Sequence, residues 1–246
     1  MTYIISTITS ESILMASDSR LNYHHEEIDN STGERFQVIE ATADCIRKTF
    51  VIDPLNIGIQ FIGIGYFPEN GVKYPISHFL SRLAAGIVEA DSIVIKFQKI
   101  YGNLKQFTQV SNTGQYVNGV MTGYENGHPY IATFNTFIDD FKVNSCKVGT
   151  YVESESCKDE RPIHRDNAIN YINEKISKVS KRRPQDVGGP IEILEIKPNS
   201  SNSWLQENPK IFNGNLEQLI DKWQNDPEEI GGIYLNPPVK QKLNLF

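Results

Sequence analysis

The start of the chain places a nucleophile and a base on one residue, Thr2. If Met1 is removed, Thr2 carries both a hydroxyl and the free α-amine, and the amine can take the hydroxyl proton while the oxygen attacks a carbonyl. An α-amine titrates at about 7.7–8.0, so a useful fraction is neutral at pH 7 and no histidine base is required. Removal of Met1 is chemically plausible because Thr2 is small.

Two charged residues, Asp18 and Lys48, stand at the ends of predicted strands. Residues 3–9 are rich in β-branched side chains and residues 13–16 follow after three polar residues, which predicts an opening β-hairpin. Asp18 comes just after the second strand, so the hairpin should bring it next to Thr2. An aspartate after a strand is usually a turn residue, and a lysine before a strand is usually solvated. Neither residue alone therefore indicates a site.

The rest of the chain predicts further hairpins and several helices. Apolar residues recur with the helical period in four segments, roughly 76–88, 92–107, 164–180 and 216–223. Strand-forming runs flank Pro54-Leu55 and Asn126-Gly127, and another follows Gly188-Gly189-Pro190. Because hairpins dominate and strands do not alternate strictly with helices, we expect an α+β fold with antiparallel sheets and helices packed outside them.

Two segments are less regular. Residues 22–44 are polar and are interpreted as a long loop or insertion. Residues 198–246 are interpreted as a C-terminal extension, with a loop over 198–209 before the short helix and an irregular tail at the end. The pair His24-His25 beside Glu26-Glu27 has metal-ligand chemistry, but adjacent residues rarely aim at one ion. We therefore predict neither a metal site nor a cofactor.

Composition limits the class of protein. The 246 residues are 39% hydrophobic, which allows one substantial core, and a single domain over 1–246 is the simplest interpretation. The net charge of −6 argues against nucleic-acid binding. No apolar run approaches the roughly 20 residues that span a bilayer, and residues 1–16 do not resemble a signal peptide. Cys45, Cys146 and Cys157 are odd in number and widely spaced, which suits a reducing cytoplasm.

Several of these features together resemble a known family. They are Thr2 behind Met1, the run Ala16-Ser17-Asp18-Ser19-Arg20, Lys48 before a strand, Gly63 at a strand end and the strand after Gly188-Gly189-Pro190. This combination is similar to proteasome β-type subunits, which are N-terminal-nucleophile hydrolases, and most similar to the bacterial Anbu-like proteasome homologues. The resemblance implies a four-layer αββα sandwich of two antiparallel sheets flanked by helices.

The resemblance also implies roles for individual residues. Thr2 would be nucleophile and base. Lys48 would place a positive charge against the Thr2 hydroxyl, and Asp18 would orient Lys48 and compensate its charge. The backbone N–H of Gly63 would stabilise the oxyanion of the tetrahedral intermediate.

A peptide or amide substrate would bind beside the chain as an extra strand, near Arg20, Asn22 and Gly65. The family also implies a homo-oligomer in a ring or helix, with an unfoldase or other accessory protein as a further partner. Two positions depart from the family pattern. Thr150 is a weaker candidate for binding the N-terminal amine, and Asp186 is shifted, with Val187 where a hydroxyl is expected.

Three functions follow from this interpretation. The first is a threonine peptidase or amidohydrolase that acts in a self-assembled oligomer. The second is a catalytically inactive structural subunit, which the departures at Asp186 and Val187 favour. The third is a small-molecule amide hydrolase that shares Thr2 but has a closed pocket. Loss of Met1 is required for the first and third.

Overall fold

The structure is a computed structural model that describes residues 3–53, 55–63, 65–110, 117–153, 164–198 and 202–242. Its strands in chain order are β1 (Ile4–Ile8), β2 (Ile13–Ser17), β3 (Leu21–Ile28), β4 (Arg35–Ala43), β5 (Thr49–Ile52), β6 (Ile57–Gly63), β7 (Tyr66–Glu69), β8 (Val72–Pro75), β9 (Val117–Glu125), β10 (His128–Asn135), β11 (Asp140–Ser145), β12 (Tyr151–Glu153), β13 (Glu192–Ile196), β14 (Ser203–Gln206) and β15 (Ile233–Lys242). The helices are α1 (Leu80–Leu83), α2 (Ile93–Val110), α3 (Arg165–Arg182) and α4 (Leu216–Asn225).

Two five-stranded sheets position the candidate site. The first has the order β12-β1-β2-β13-β14 and the second the order β11-β10-β9-β6-β5. A three-stranded sheet, β15-β4-β3, and the two-stranded pair β7-β8 lie beside them. Every strand pair within the described ranges is antiparallel, as the hairpin-rich sequence predicts. The coarse expectation of antiparallel sheets with helices is therefore confirmed.

Three of the four apolar clusters in the described ranges hold the two five-stranded sheets and their helices together. One joins the second sheet to α1 and α2, with Phe97 of α2 fully buried. Another joins the first sheet to α3, through Ile5 and Ile172. In the third, Ile4 and Val120 belong to different sheets and share one cluster. Neighbouring side chains of a strand point to opposite faces, which explains why Ile4 and Ile5 belong to different clusters.

Local sequence signals explain several turns and caps. The opening hairpin is confirmed, with Ile8 paired to Ile13 across its turn. Asn126 and Gly127 join β9 to β10 with φ of 51° and 77°, the left-handed values that a tight hairpin turn requires. Asn215 caps α4, and Gln218 completes the capping box that its spacing predicts.

The interpretation of residues 22–44 as a loop is wrong. This segment forms β3 and β4, which pair from Leu21↔Ala43 to Ile28↔Arg35. Most side chains of β3 are exposed, so the strand is polar although its backbone is paired throughout. Composition alone cannot distinguish such a strand from a solvated loop.

The prediction of an irregular C-terminal tail is also wrong, because strand β15 pairs with β4. Pro237-Pro238 lies where the register shifts between Tyr234 and Val239, a position at which missing N–H donors are tolerated. The loop expected after Pro198 contains β14.

The helix expected over 76–88 is only a 3₁₀ turn followed by α1, and Gly86 then adopts φ of 73°, which does not continue a helix. No helix in the described part of the chain is both long and apolar enough to cross a membrane.

Candidate active site

Asp18 is the centre of a buried cluster at the end of the opening hairpin. Its side chain is 0% exposed, and its Oδ1 accepts a hydrogen bond from the backbone N–H of Tyr3 at 2.9 Å. Oδ2 accepts from the backbone N–H groups of Arg20 at 3.2 Å and Gly188 at 3.3 Å. The Lys48 ammonium nitrogen lies 2.9 Å from the same oxygen. Four donors from four segments therefore compensate one carboxylate.

Lys48 directly precedes β5, and its side chain is only 7% exposed. Burial lowers the pKa of Lys48, and the adjacent Asp18 carboxylate opposes that shift by favouring the ammonium. Within the described ranges, Nζ makes no hydrogen bond of good geometry besides this ion pair. The ammonium therefore retains N–H donors for a further acceptor.

Thr2 lies outside the described residues, but its neighbour Tyr3 is held firmly. Besides its N–H bond to Asp18, Tyr3 donates its hydroxyl to Glu153 Oε2 at 2.8 Å and is 1% exposed. The described chain therefore begins against the Asp18–Lys48 pair, where the predicted hairpin geometry requires it.

Gly63 is the last residue of β6 and has φ of 106°, a conformation that glycine adopts at low cost. The N–H of Phe61 donates to the Lys48 carbonyl at 3.0 Å, so this end of β6 lies beside the segment that carries the lysine. Gly65 follows two residues later, and its carbonyl accepts from the N–H of Ile76 at 3.3 Å.

The predicted substrate-binding residues Arg20 and Asn22 differ in how their side chains are used. The Arg20 guanidinium binds both Asp44 oxygens, at 2.7 and 2.8 Å, and also the Pro184 carbonyl. The same hydrogen bonds to Asp44 raise the pKa of Arg20. Asn22 belongs to β3, an edge strand of its sheet, and its buried Oδ1 has no partner within the described ranges. Asn22 therefore keeps an unused acceptor beside an open strand edge.

The structure does not bring Thr150 to this cluster. The Thr150 carbonyl accepts from the N–H of Ile8, at the far end of β1 from Tyr3. At about 3.4 Å per residue, that end is roughly 17 Å away.

Asp186 lies two residues before Gly188, and its carboxylate accepts from Arg183 Nε at 3.2 Å. Val187 packs into the apolar cluster beneath α3. The contact with Asp18 is made instead by the N–H of Gly188.

The sequence reasoning missed three members of the cluster. Asp44 lies next to β4, within the segment that was expected to be a loop. At Gly188, an added Cβ would be 2.4 Å from Arg20 Cζ, and at Gly189, with φ of 73°, it would be 2.6 Å from Ser19 Oγ. The Gly-Gly pair was a visible signal in the sequence, but its close approach to the side chains of Ser19, Arg20 and Asp44 was not.

A cavity of about 220 Å³ opens between the two five-stranded sheets near the start of β1. Ile4 and Ile62 form part of its wall, together with Asn118 and Asn135, which are cross-strand partners. The buried Oδ1 of Asn118 has no partner within the described ranges. The cavity therefore combines apolar walls with an unused acceptor.

The adjacent histidines do not form a metal site in the described part of the chain. No group of three or more His, Cys, Asp or Glu side chains there is arranged to hold an ion. His25 instead lies 3.3 Å from Glu27 and 3.0 Å from Glu40 on the exposed face of β3 and β4.

Comparison with known proteins shows the class of fold. The mixed fold of mostly antiparallel sheets, with four α-helices in the described ranges, is that of a bacterial proteasome-like protein. One solved structure that matches is the Gly-1 mutant of Anbu from Hyphomicrobium sp. strain MC1, with 12% identity and a TM-score of 0.56. The match covers 93% of this chain and 96% of that one. No protein-family model matches the chain, and no curated protein matches it in sequence. At this identity, the likeness shows a shared fold alone.

Proposed function

We propose that the protein is a threonine-type N-terminal-nucleophile hydrolase that cleaves a peptide or amide bond after removal of Met1. The observation that carries this proposal is the buried Asp18–Lys48 pair against the backbone of Tyr3, one residue from Thr2. A lysine with a lowered pKa and unused N–H donors is suited to stabilise an alkoxide. A lysine without such a role is usually solvated when it precedes a strand.

The proposed reaction uses the chain's own groups. The Thr2 amine takes the hydroxyl proton as the oxygen attacks the carbonyl carbon, and the Lys48 ammonium stabilises the forming alkoxide. The carbonyl oxygen becomes an oxyanion that accepts from the N–H of Gly63. The amine then returns the proton to the leaving nitrogen, which leaves an ester on Thr2. Water, deprotonated by the same amine, then attacks the ester carbonyl carbon. The bond from that carbon to the Thr2 oxygen breaks, and the amine returns the proton to this oxygen.

The fold arrangement that we propose for this activity is the four-layer αββα sandwich. Its support is the set of three apolar clusters, which join α1 and α2 to the second sheet, the two sheets to each other, and the first sheet to α3. We further propose a homo-oligomer, as the resemblance of the sequence to proteasome-like proteins implies. Light scattering on the purified protein tests this, and a monomer at micromolar concentration would contradict it.

The substrate would lie extended along the open edge of β3, beside Asn22, with its reacting carbonyl near Gly63. The unused Asn22 acceptor and the unpaired strand edge support this placement. Arg20 would contribute through its backbone and through Asp44, because its guanidinium is already bound.

A catalytically inactive subunit is the second candidate. It is favoured by Thr150, which lies at the far end of β1 from Tyr3, and by Val187, which packs into an apolar cluster where a hydroxyl is expected. A small-molecule amide hydrolase is the third candidate, and the cavity of about 220 Å³ suits a compact substrate.

Mass spectrometry and covalent labelling test the proposal. The intact protein should have lost Met1, and a peptide epoxyketone or β-lactone should add once to the wild type. Thr2→Ala should abolish the adduct, whereas Thr150→Ala, a matched control in a surface turn, should leave it unchanged. A retained Met1, or an adduct that survives Thr2→Ala, would contradict the mechanism. Cleavage of amino-acid amides but not of peptides would favour the small-molecule alternative.

A further inference from the structure

A fully buried polar network joins the two five-stranded sheets. Gln60 of β6 is 0% exposed, and its Nε2 donates to the Ala16 carbonyl at 2.8 Å and to Thr49 Oγ1 at 3.0 Å. Its Oε1 accepts from Ser6 Oγ at 2.7 Å. Ala16 and Ser6 belong to the first sheet, while Gln60 and Thr49 belong to the second. Both amide N–H donors therefore have partners, and the bonds cross the sheet interface.

The direction of these bonds is determined by their chemistry. A backbone carbonyl can only accept, so the Gln60 amide nitrogen must face Ala16. Thr49, which receives the other amide N–H, donates its own hydroxyl to Ser17 Oγ at 2.9 Å. The network thus ends in a hydrogen bond between the last residue of β2 and the first residue of β5.

These two end residues are the direct neighbours of the candidate catalytic pair, since Ser17 precedes Asp18 and Thr49 follows Lys48. Asp18 and Lys48 come from segments attached to different sheets, so their separation depends on how the sheets are aligned. Most other contacts at this interface are apolar, as between Ile4 and Val120 in the cluster that joins the sheets. Apolar contacts are not directional and allow small shifts.

Hydrogen bonds between buried groups, in contrast, fix one alignment, because a shift would leave polar atoms without partners. One residue of a strand advances by about 3.3 Å, so even a partial slip would separate the Lys48 nitrogen from the Asp18 oxygen.

We propose that Gln60, Thr49 and Ser17 are positioning residues that hold the Lys48 ammonium against the Asp18 carboxylate across the sheet interface. The catalytic consequence of this inference rests on the proposed hydrolase function, whereas its geometric part does not.

A pair of substitutions at Thr49 tests the inference. Thr49→Val replaces the hydroxyl with a methyl group of similar size and removes the hydrogen bonds to Gln60 and Ser17. Thr49→Ser keeps the hydroxyl. We expect Thr49→Val to lower kcat roughly 10- to 100-fold with little change in KM, because a misplacement of about 1 Å can have that effect. Thr49→Ser should restore most of the rate. Ser17→Ala, which removes the other end of the link, is the second variant if Thr49→Val does not fold.

Ser12→Ala is the matched control for lost stability. It removes an equally buried hydrogen bond, from Ser12 Oγ to Glu195 Oε1 at 2.9 Å, at the opposite end of β2. It should lower stability without lowering kcat. If Thr49→Val and Ser12→Ala change kcat equally, the network is only structural and the inference is wrong.

Crystal structures of the variants separate this inference from the proposed function. In Thr49→Val we expect the Lys48 Nζ to Asp18 Oδ2 distance to exceed about 4 Å, the usual limit of an ion pair. A distance still near 2.9 Å would overturn the inference, whatever the activity. If the wild type cleaves nothing, the hydrolase proposal fails and this distance alone decides the geometric part. A longer distance with unchanged kcat would overturn the catalytic part.

Discussion

Replacing Asp18 should destabilise the protein more than replacing Lys48, although the two side chains form one ion pair. The reason is that their remaining partners differ. Without Lys48, the Asp18 carboxylate still accepts three backbone hydrogen bonds, from Tyr3, Arg20 and Gly188. Without Asp18, the described residues offer the buried ammonium no other ion-pair partner and no hydrogen bond of good geometry.

The magnitudes follow from these partners. Asp18→Ala leaves a buried charge and three backbone donors uncompensated, and removal of one partner from a buried ion pair typically costs about 3–5 kcal/mol. Lys48→Met keeps the shape of the apolar stem and removes one contact with a charged group, which typically costs about 1.5–3 kcal/mol. Asp18→Asn keeps an acceptor oxygen for Tyr3 but loses the charge, and its cost should lie between these values.

Urea unfolding at neutral pH gives the free energy of unfolding of each variant from the midpoint and the denaturant dependence m. Asp18→Asn provides the comparison if Asp18→Ala does not fold, since total stability of a domain is only about 5–15 kcal/mol. The double variant Asp18→Asn with Lys48→Met should be more stable than the sum of the single costs implies. The reasoning is refuted if Lys48→Met destabilises the protein as much as Asp18→Ala.

Three further predictions concern the effects of other residues on stability. Burial raises the pKa of the Cys45 thiol from 9.0 to about 12, so the folded chain keeps a proton that the unfolded chain releases, and stability should fall as pH rises through this window. Cys45→Ala should show a shallower fall in urea titrations, and an equal slope would contradict this. Gly188→Ala should cost about 1–3 kcal/mol, because its Cβ would lie 2.4 Å from Arg20 Cζ, and an unchanged urea midpoint would count against the contact. Asn215→Ala should remove about 1 kcal/mol of capping energy from α4, seen as a Tm lowered by roughly 2–4 °C, whereas Glu217→Ala, at an exposed neighbour, should lower Tm less.

The parts of the fold that the sequence predicts are those governed by local periodicity. The helical period gives α3 and α2 closely, and Asn126-Gly127 gives the hairpin of β9 and β10. The strand β3 could not be predicted from composition, because its polar side chains face solvent and its support is the backbone pairing with β4. The two strands form a hairpin, but β3 shows no alternation of apolar and polar residues from which a strand could be predicted.

The residues of the candidate site also divide into those that local sequence could place and those that tertiary packing brings in. Asp18 could be placed beside the start of the chain because a hairpin brings its own ends together. Asp44 and Gly188 reach the cluster from separate segments, and their contacts depend on tertiary packing. The position of Thr150 beside Ile8 likewise depends on tertiary packing, because it follows from the pairing of β12 with β1.

The energetics of the Asp18–Lys48 pair also bear on why it exists. A buried ion pair commonly contributes less stability than a well-packed apolar pair of similar volume, because both charges lose their hydration. Here the lysine is 7% exposed, and burial lowers its pKa despite the adjacent carboxylate, which marks it as a residue held in an unfavourable environment. Stability alone would favour a well-packed apolar pair at positions 18 and 48 together. Because the sequence instead keeps an amine beside the start of the chain and buries a polar network next to it, we infer that the arrangement is selected for chemistry at Thr2.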